Sequence, residues 1–460
     1  MLRQWQVECS EKAIQKFRGN QQHFFCQATP GAGKTVLAAT VASRLLNNDM
    51  VDLVLCFSPS LTVSDGIKKT FSQILNCTFN GGLGSIGQSL TYQSIQFLND
   101  DFWKALRKHR VFVVFDEIHH CSGSELENAN VWGQQVLTKI QELATYTLAL
   151  SGTPWRSDAL PIVMAQYSDP DGQILVDYQY TLKQAVSDHV CRAPKIVLAD
   201  NEHLSVTCDG KAKSFSSILD LLKQTKAPYQ SVIHNQEAME YLLGLGCRKL
   251  AEIRTQNQDA GGLVVASSVQ HAQEIKKMLL EKYQQTVSIV TYRHEAPLAE
   301  IERYRKDSTQ WIVSVGMISE GTDIPKLQVC CHMSSVKTEL YFRQVLGRIL
   351  RVNGEANQQA WLFTFAEQSL IKFAERVGQD IPQSCMFIGA DTPEIFIASD
   401  SGRKVSVNDF NADSTSNHTD LRWNSVAERS RTVGDVASTP DEVQFGGFKQ
   451  RIISAFQTVQ

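Results

Sequence analysis

The sequence predicts an α/β protein built from two tandem domains, each a mostly parallel sheet flanked by helices. Three observations carry this. Short, unbroken apolar runs such as Val111-Phe112-Val113-Val114-Phe115 alternate with helix-like stretches through residues 1–155. Strands of that kind are buried on both faces, as happens when helical crossovers cover a parallel sheet. The same alternation resumes over 251–392, and a glycine loop joins a strand-like run to a helix-like run only in the first half.

Composition bounds the answer. The 460 residues, 43% of them hydrophobic, are enough for two or three domains with real cores. The net charge of −3 is no global basic signature. Contacts to nucleic acid would have to come from local patches, helix N-termini and backbone amides. The eleven cysteines include no C-x-x-C pair, which argues against zinc or iron–sulfur sites. Cys56, Cys330 and Cys331 sit in apolar runs and read as buried, reduced thiols of a cytoplasmic protein. The N-terminus lacks a signal-peptide core, and no apolar run reaches membrane-span length, so no membrane partner is expected.

In order along the chain, His23-Phe24-Phe25-Cys26 is the first strand, followed by the glycine loop and a helix from Val36. Strands are expected at 51–57, 89–93, 111–115 and 146–150, with helices between them. Gly82-Leu83-Gly84-Ser85-Ile86-Gly87 has dinucleotide-site spacing but neither the strand before nor the helix after that such a site needs. It reads as a surface loop. Residues 156–250 are looser and read as a connector or small insertion, with a short strand at 194–198. Strands then return at 262–266, 287–290, 311–315, 327–331 and 360–365, with a helix at 339–351. Residues 393–460 are polar and read as a partly disordered or partner-docking tail that ends in an amphipathic segment.

Four stretches carry chemistry. In Ala28-Thr29-Pro30-Gly31-Ala32-Gly33-Lys34-Thr35, the glycines let successive amides form an anion nest. Lys34 reaches β- and γ-phosphates, and Thr35 can hold Mg²⁺. Asp116-Glu117-Ile118-His119 follows a buried strand, so its carboxylates stand at a sheet edge where ligands bind. Asp116 suits Mg²⁺, and Glu117 suits the general base that deprotonates water. Ser151-Gly152-Thr153 caps the next strand and can relay hydrogen bonds. Finally, Gln344, Arg348 and Arg351 fall at i, i+4 and i+7, one face of an expected helix, from which both guanidiniums could reach a γ-phosphate.

Together these residues resemble the DExH-type helicases and translocases of superfamily 2, over residues 2–373. Leu2-Arg3-Gln4-Trp5-Gln6 resembles the adenine-recognising Q motif. The glycine loop resembles motif I, Phe57-Ser58-Pro59-Ser60 motif Ia and Thr91-Tyr92-Gln93-Ser94 motif Ib. Asp116-Glu117-Ile118-His119 resembles motif II, Ser151-Gly152-Thr153 motif III and Ala266-Ser267-Ser268 motif IV. Glu320-Gly321-Thr322-Asp323-Ile324-Pro325 resembles motif V, and 344–351 motif VI. The resemblance implies two RecA-like domains, over 1–155 and 251–392, with ATP and Mg²⁺ between them. It assigns Arg3, Gln6, Thr29, Pro30, Gly31, Ala32, Gly33, Lys34, Thr35, Gly321, Asp323 and Gln344 to the nucleotide, and Thr35 and Asp116 to the metal. Lys34, Asp116, Glu117, Arg348 and Arg351 are the expected catalytic set. Ile118-His119-His120 and the Asp-Ile-Pro ending of motif V resemble the DNA-translocase branch, so the implied partner is DNA rather than RNA, gripped by its backbone. The alternative reading is a nucleotide-gated scaffold subunit of a larger complex.

Overall fold

In a computed structural model, residues 2–123, 129–141, 143–154, 160–169, 174–208, 211–225, 228–294, 296–318, 322, 324–354, 358–379 and 442–455 are described. The chain opens with α1 (Gln4–Arg18), β1 (His23–Ala28), α2 (Lys34–Asn47), β2 (Leu53–Ser58), α3 (Leu61–Leu75) and β3 (Gly87–Thr91). It continues through α4 (Asp100–Leu106), β4 (Val111–Asp116), α5 (Val131–Gln135) and β5 (Ala144–Ser151). All six residues of β4 are buried, as an unbroken apolar run requires of a central strand. Phe17 of α1, Leu37 and Val41 of α2, and Phe71 of α3 are fully buried in the core that includes Phe24, Val54 and Phe112.

Residues 156–250 hold β6 (Gln166–Tyr167), β7 (Ile174–Leu175), β8 (Tyr178–Tyr180), α6 (Leu182–Ser187), β9 (Ala193–Asn201), β10 (Leu204–Cys208), β11 (Lys211–Phe215), α7 (Ile218–Gln224), α8 (Tyr229–Ile233) and most of α9 (Gln236–Arg254). Residues 178–190 have helix-like spacing in the sequence, yet they form a strand and a short helix, because Thr181 caps α6 through a capping box and thereby starts it only after Tyr180. β8 completes a six-stranded sheet of order β3-β2-β4-β5-β1-β8, parallel at every pairing.

The second sheet uses β12 (Gly261–Ala266), α10 (Val269–Glu281), β13 (Val287–Thr291), α11 (Pro297–Lys306), β14 (Trp311–Val315), β15 (Leu327–Met333), α12 (Glu339–Ile349), β16 (Gln359–Phe365) and α13 (Gln368–Gln379), then β17 (Glu442–Phe445) and β18 (Phe448–Ser454). Its order is β13-β14-β12-β15-β16-β9-β18. All pairs are parallel except β18 against β9. The connector therefore lends β8 to the first sheet and β9 to the second. The far end of the segment read as a polar tail lends β17 to a three-stranded sheet with β10 and β11, and β18 to the edge of the second sheet. β18, Phe-Lys-Gln-Arg-Ile-Ile-Ser, shows no apolar–polar alternation, so its sequence carries no strand signal. Both sheets belong to the unit comprising Met1–Phe387 and Thr439–Gln460. They are two tandem RecA-like domains.

Candidate nucleotide site between the two sheets

β1 ends at Ala28, and the chain turns through Thr29-Pro30-Gly31-Ala32-Gly33 before α2 begins at Lys34. Gly31 and Gly33 have φ values of +86° and +91°, where a side chain is strained. Turning there leaves the first amides of α2 facing the loop, a ready anion site at the positive end of a helix.

α1 fastens this loop. Gln6 Nε2 donates to Gly33 O at 3.0 Å, while Gln6 Oε1 accepts from the Arg3 amide at 2.9 Å. Arg3 Nη1 donates to Ala32 O at 2.7 Å. Both residues expected at an adenine therefore brace the loop's carbonyls. The Thr29 amide donates to Tyr180 O at 3.1 Å, and Tyr180 stacks on Trp5 with ring centroids 4.8 Å apart. The connector thus supports the loop from its other side.

Inside the turn, Lys34 Nζ lies 3.0 Å from Glu117 Oε1 and donates to Ala28 O at 3.3 Å. Glu117 follows β4 with φ +51°, an uncommon conformation for a residue with a side chain and one that recurs at functional sites. Its Oε2 accepts from the Gly152 amide at 3.3 Å and from Ser151 Oγ at 3.5 Å. His119 Nδ1 is 3.4 Å from the same oxygen and 2.9 Å from Ser151 Oγ. The Ser151-Gly152 turn thus holds the carboxylate suited to activating water. Asp116, at the buried end of β4, accepts through its carbonyl from Tyr92 Oη at 2.9 Å. Thr35 follows Lys34 in the first turn of α2.

The second sheet's α12 closes on this loop. A Cβ added to Gly347 would come 2.7 Å from Pro30 Cβ, and one added to Gly152 would come 3.0 Å from Pro30 Cδ. Pro30 is therefore sandwiched between the two glycines, one following β5 of the first domain and one on α12 of the second. Arg348 Nη1 donates to Thr322 O at 2.7 Å, and Gln344 is buried on the same helix. Arg351 does not share that helix. α12 ends at Ile349, and Arg351 forms an isolated antiparallel bridge with Cys191. The expected helical face is thus corrected: the Arg192 amide takes the carbonyl of Leu350 at 2.7 Å, and the Arg192 guanidinium takes that of Ile349 at 3.2 Å. Arg192 thus satisfies carbonyls that the end of the helix leaves without intrahelical partners. Arg351 still meets the loop, with its Cγ 3.3 Å from the position of a Cβ on Gly31. Burial pushes its guanidinium down to about 10, which leaves it charged at neutral pH. Gly321 and Asp323, also expected here, lie outside the described residues.

Sequence reasoning missed Tyr180, Cys191 and Arg192. The signal for the last was a cation inside the otherwise apolar run Val190-Cys191-Arg192-Ala193-Pro194. Cys191 Sγ donates to Pro30 O at 3.6 Å, and burial raises its thiol to about 11.

Residues 1–156 match the family described as "Type III restriction enzyme, res subunit", and residues 246–353 match "Helicase conserved C-terminal domain". These two matches carry, in order, the glycine loop, the Asp116-Glu117 pair and α12. The chain belongs to superfamily 2 of the helicases and translocases. An uncharacterized protein of Mycobacterium leprae (strain TN) is 28% identical over 390 residues, covering 82% of this chain and 64% of that protein. The chain thus spans a little under two thirds of that relative's length. The "DNA 3'-5' translocase XPB2" of Sulfurisphaera tokodaii is 23% identical over 380 residues, covering 76% of this chain and 78% of that one. A solved fragment of a putative HsdR subunit of a type I restriction enzyme from Vibrio vulnificus YJ016 shares the fold. Its TM-score is 0.55 and its identity 16%, with 83% of this chain and 67% of that one covered.

For a superfamily 2 protein the family implies an ATP-hydrolysing enzyme that uses ATP, typically with Mg²⁺. The donor set fits: a glycine turn at positive φ before a helix start, an ammonium, a hydroxyl and a carboxylate at one sheet edge. No helix among the described residues is long and apolar enough to cross a membrane.

Proposed function

We propose that the chain is an ATP-driven translocase or helicase acting on DNA, with hydrolysis in the cleft between the two sheets. One observation carries the reading: Gly347 and Arg351 of the second domain lie directly against Pro30 and Gly31 of the loop. A phosphate-binding loop that served only as a latch would not need the partner domain's arginine packed on it. In this reading the amides from Gly31 to Thr35 hold phosphate oxygens, and Lys34 leaves Glu117 to join them. Glu117, steadied by Gly152 and Ser151, takes the proton from the attacking water. Arg348 and Arg351 face the charge that develops on the γ-phosphate. Thr35 and Asp116 would hold Mg²⁺, whose charge neutralises phosphate oxygens.

Turnover then opens and closes the cleft and moves two grips along a nucleic-acid backbone. The grips are residues after β2, β3, β12 and β14, all on the same C-terminal sheet edges. The name of the Sulfurisphaera relative, a DNA translocase, favours DNA over RNA. ATPase assays with single-stranded DNA, duplex DNA and RNA test this. DNA should raise turnover strongly; one unchanged rate with every nucleic acid would refute the proposal.

A further inference from the structure

Arg192 stands out among the buried groups that the proposed chemistry does not use. It is 1% exposed, and it sits where the connector enters the second sheet, just before β9. Its guanidinium has five N–H donors. Nε donates to Gln358 Oε1 at 2.9 Å, and Nη1 donates to Leu327 O at 2.6 Å and Ile349 O at 3.2 Å. Nη2 donates to Pro325 O at 3.2 Å and Asn353 Oδ1 at 3.1 Å. Every donor is used, and all five acceptors are neutral. Burying a cation among neutral acceptors, as the described residues bury this one, is costly and persists only where the hydrogen bonds are complete.

Gln358 stands just before β16, and the other four acceptors belong to two places. Pro325 and Leu327 flank the return from the loop after β14 into β15; Ile349 and Asn353 flank the end of α12. Next door, the Cys191 backbone bridges Arg351, and its thiol reaches Pro30 O. A Cβ on Gly31 would lie 3.7 Å from the same sulfur. Two adjacent residues therefore touch the glycine loop of one sheet, the arginine-bearing end of α12, and the chain leaving the loop after β14.

We infer that Arg192 is a positioning residue that holds the loop after β14 and the end of α12 at one spacing, so that movement of the glycine loop reaches the nucleic-acid face of the second sheet through Cys191. This rests on the proposed ATPase. The carbonyl cage needs the planar fork of a guanidinium, which an ammonium cannot supply.

The test uses Arg192→Gln, Arg192→Lys and Asn353→Ala in the full chain, with ATPase measured with and without single-stranded DNA. Arg192→Gln should keep the KM for ATP and the basal rate within about twofold, while the stimulated kcat falls about tenfold and the stimulation ratio approaches one. Arg192→Lys keeps the charge but brings three donors to five acceptors, so it should fold with a lowered melting temperature and without recovering the ratio, which separates positioning from the mere presence of a charge. Asn353→Ala removes one acceptor without removing the charge and should give an intermediate ratio if Arg192→Gln does not fold. A folded Arg192 variant with the wild-type ratio overturns the inference. Hydrogen exchange over 324–354 gives a second readout. ADP–beryllium fluoride should protect these amides in the wild type and not in Arg192→Lys or Asn353→Ala; equal protection also overturns it. If wild-type turnover ignores DNA, the proposed function fails, and the exchange comparison still decides the role of Arg192.

Discussion

Gly347 of α12 and Pro30 of the glycine loop approach so closely that a methyl group on the glycine would stand 2.7 Å from Pro30 Cβ. The helix thus carries glycine where any other residue would hold the two sheets apart. In isolation Gly347→Ala should strengthen α12, because alanine favours helix over glycine by ~1 kcal/mol. In the assembled cleft it should block closure. The expected outcome is a melting temperature that does not fall with an ATPase rate reduced about tenfold or more, since small misplacements at a reacting centre are costly. Calorimetry and a coupled ATPase assay on one preparation would show the split.

Glu117 is held by the Gly152 amide and Ser151 Oγ and faces Lys34. Glu117→Gln keeps the shape and removes the base and its charge. Nucleotide affinity should hold or rise, because Lys34 loses its competing partner. Turnover should drop by roughly 10²–10⁴, the usual contribution of a general base. Fluorescent-nucleotide binding beside single-turnover hydrolysis separates the two effects; near-normal turnover would place the base elsewhere.

Arg351→Ala should lower kcat by roughly 10³ or more with little change in nucleotide affinity, as expected of an arginine that acts on developing charge. Arg348→Ala should lose rate too, and additionally free the Thr322 carbonyl that it now engages. If Arg351→Ala weakens ATP binding and spares kcat, its role is in ground-state binding instead.

His332 of β15 is fully buried, and burial holds its imidazole down at about 4. An unfolded histidine titrates near 6.5. Below that pH the unfolded chain takes up a proton that the folded chain refuses, so stability falls from pH 6.5 toward 4, by about 3 kcal/mol in total. His271, held down to about 3, adds to the same trend. Melting temperatures between pH 7.5 and 5 should fall less steeply for His332→Leu than for the wild type.

Legibility in the sequence differs from element to element. β4 reads out plainly, because a run buried on both faces has no polar alternation to confuse it. The Gly31 and Gly33 turn is equally plain, since backbone conformation is a local property. β8 and β18 are not legible. β8 has only three residues and β18 has no apolar–polar alternation, and each becomes a strand by pairing with a partner more than 150 residues away along the chain. Arg351 looks helical by spacing, which cannot show that Arg192 takes the carbonyls where α12 stops.

By itself, then, the sequence determined the alternating α/β pattern, the phosphate loop, the carboxylate pair and the arginine stretch, all properties carried by neighbouring residues. Only the tertiary structure decided that Pro30 lies between Gly152 and Gly347, that Glu117 is steadied by Ser151 and Gly152, and that a buried Arg192 ties two loops together. Those relations depend on close contacts between residues that are distant in sequence. Contact distance is set by how the two sheets pack, and local spacing carries no record of it.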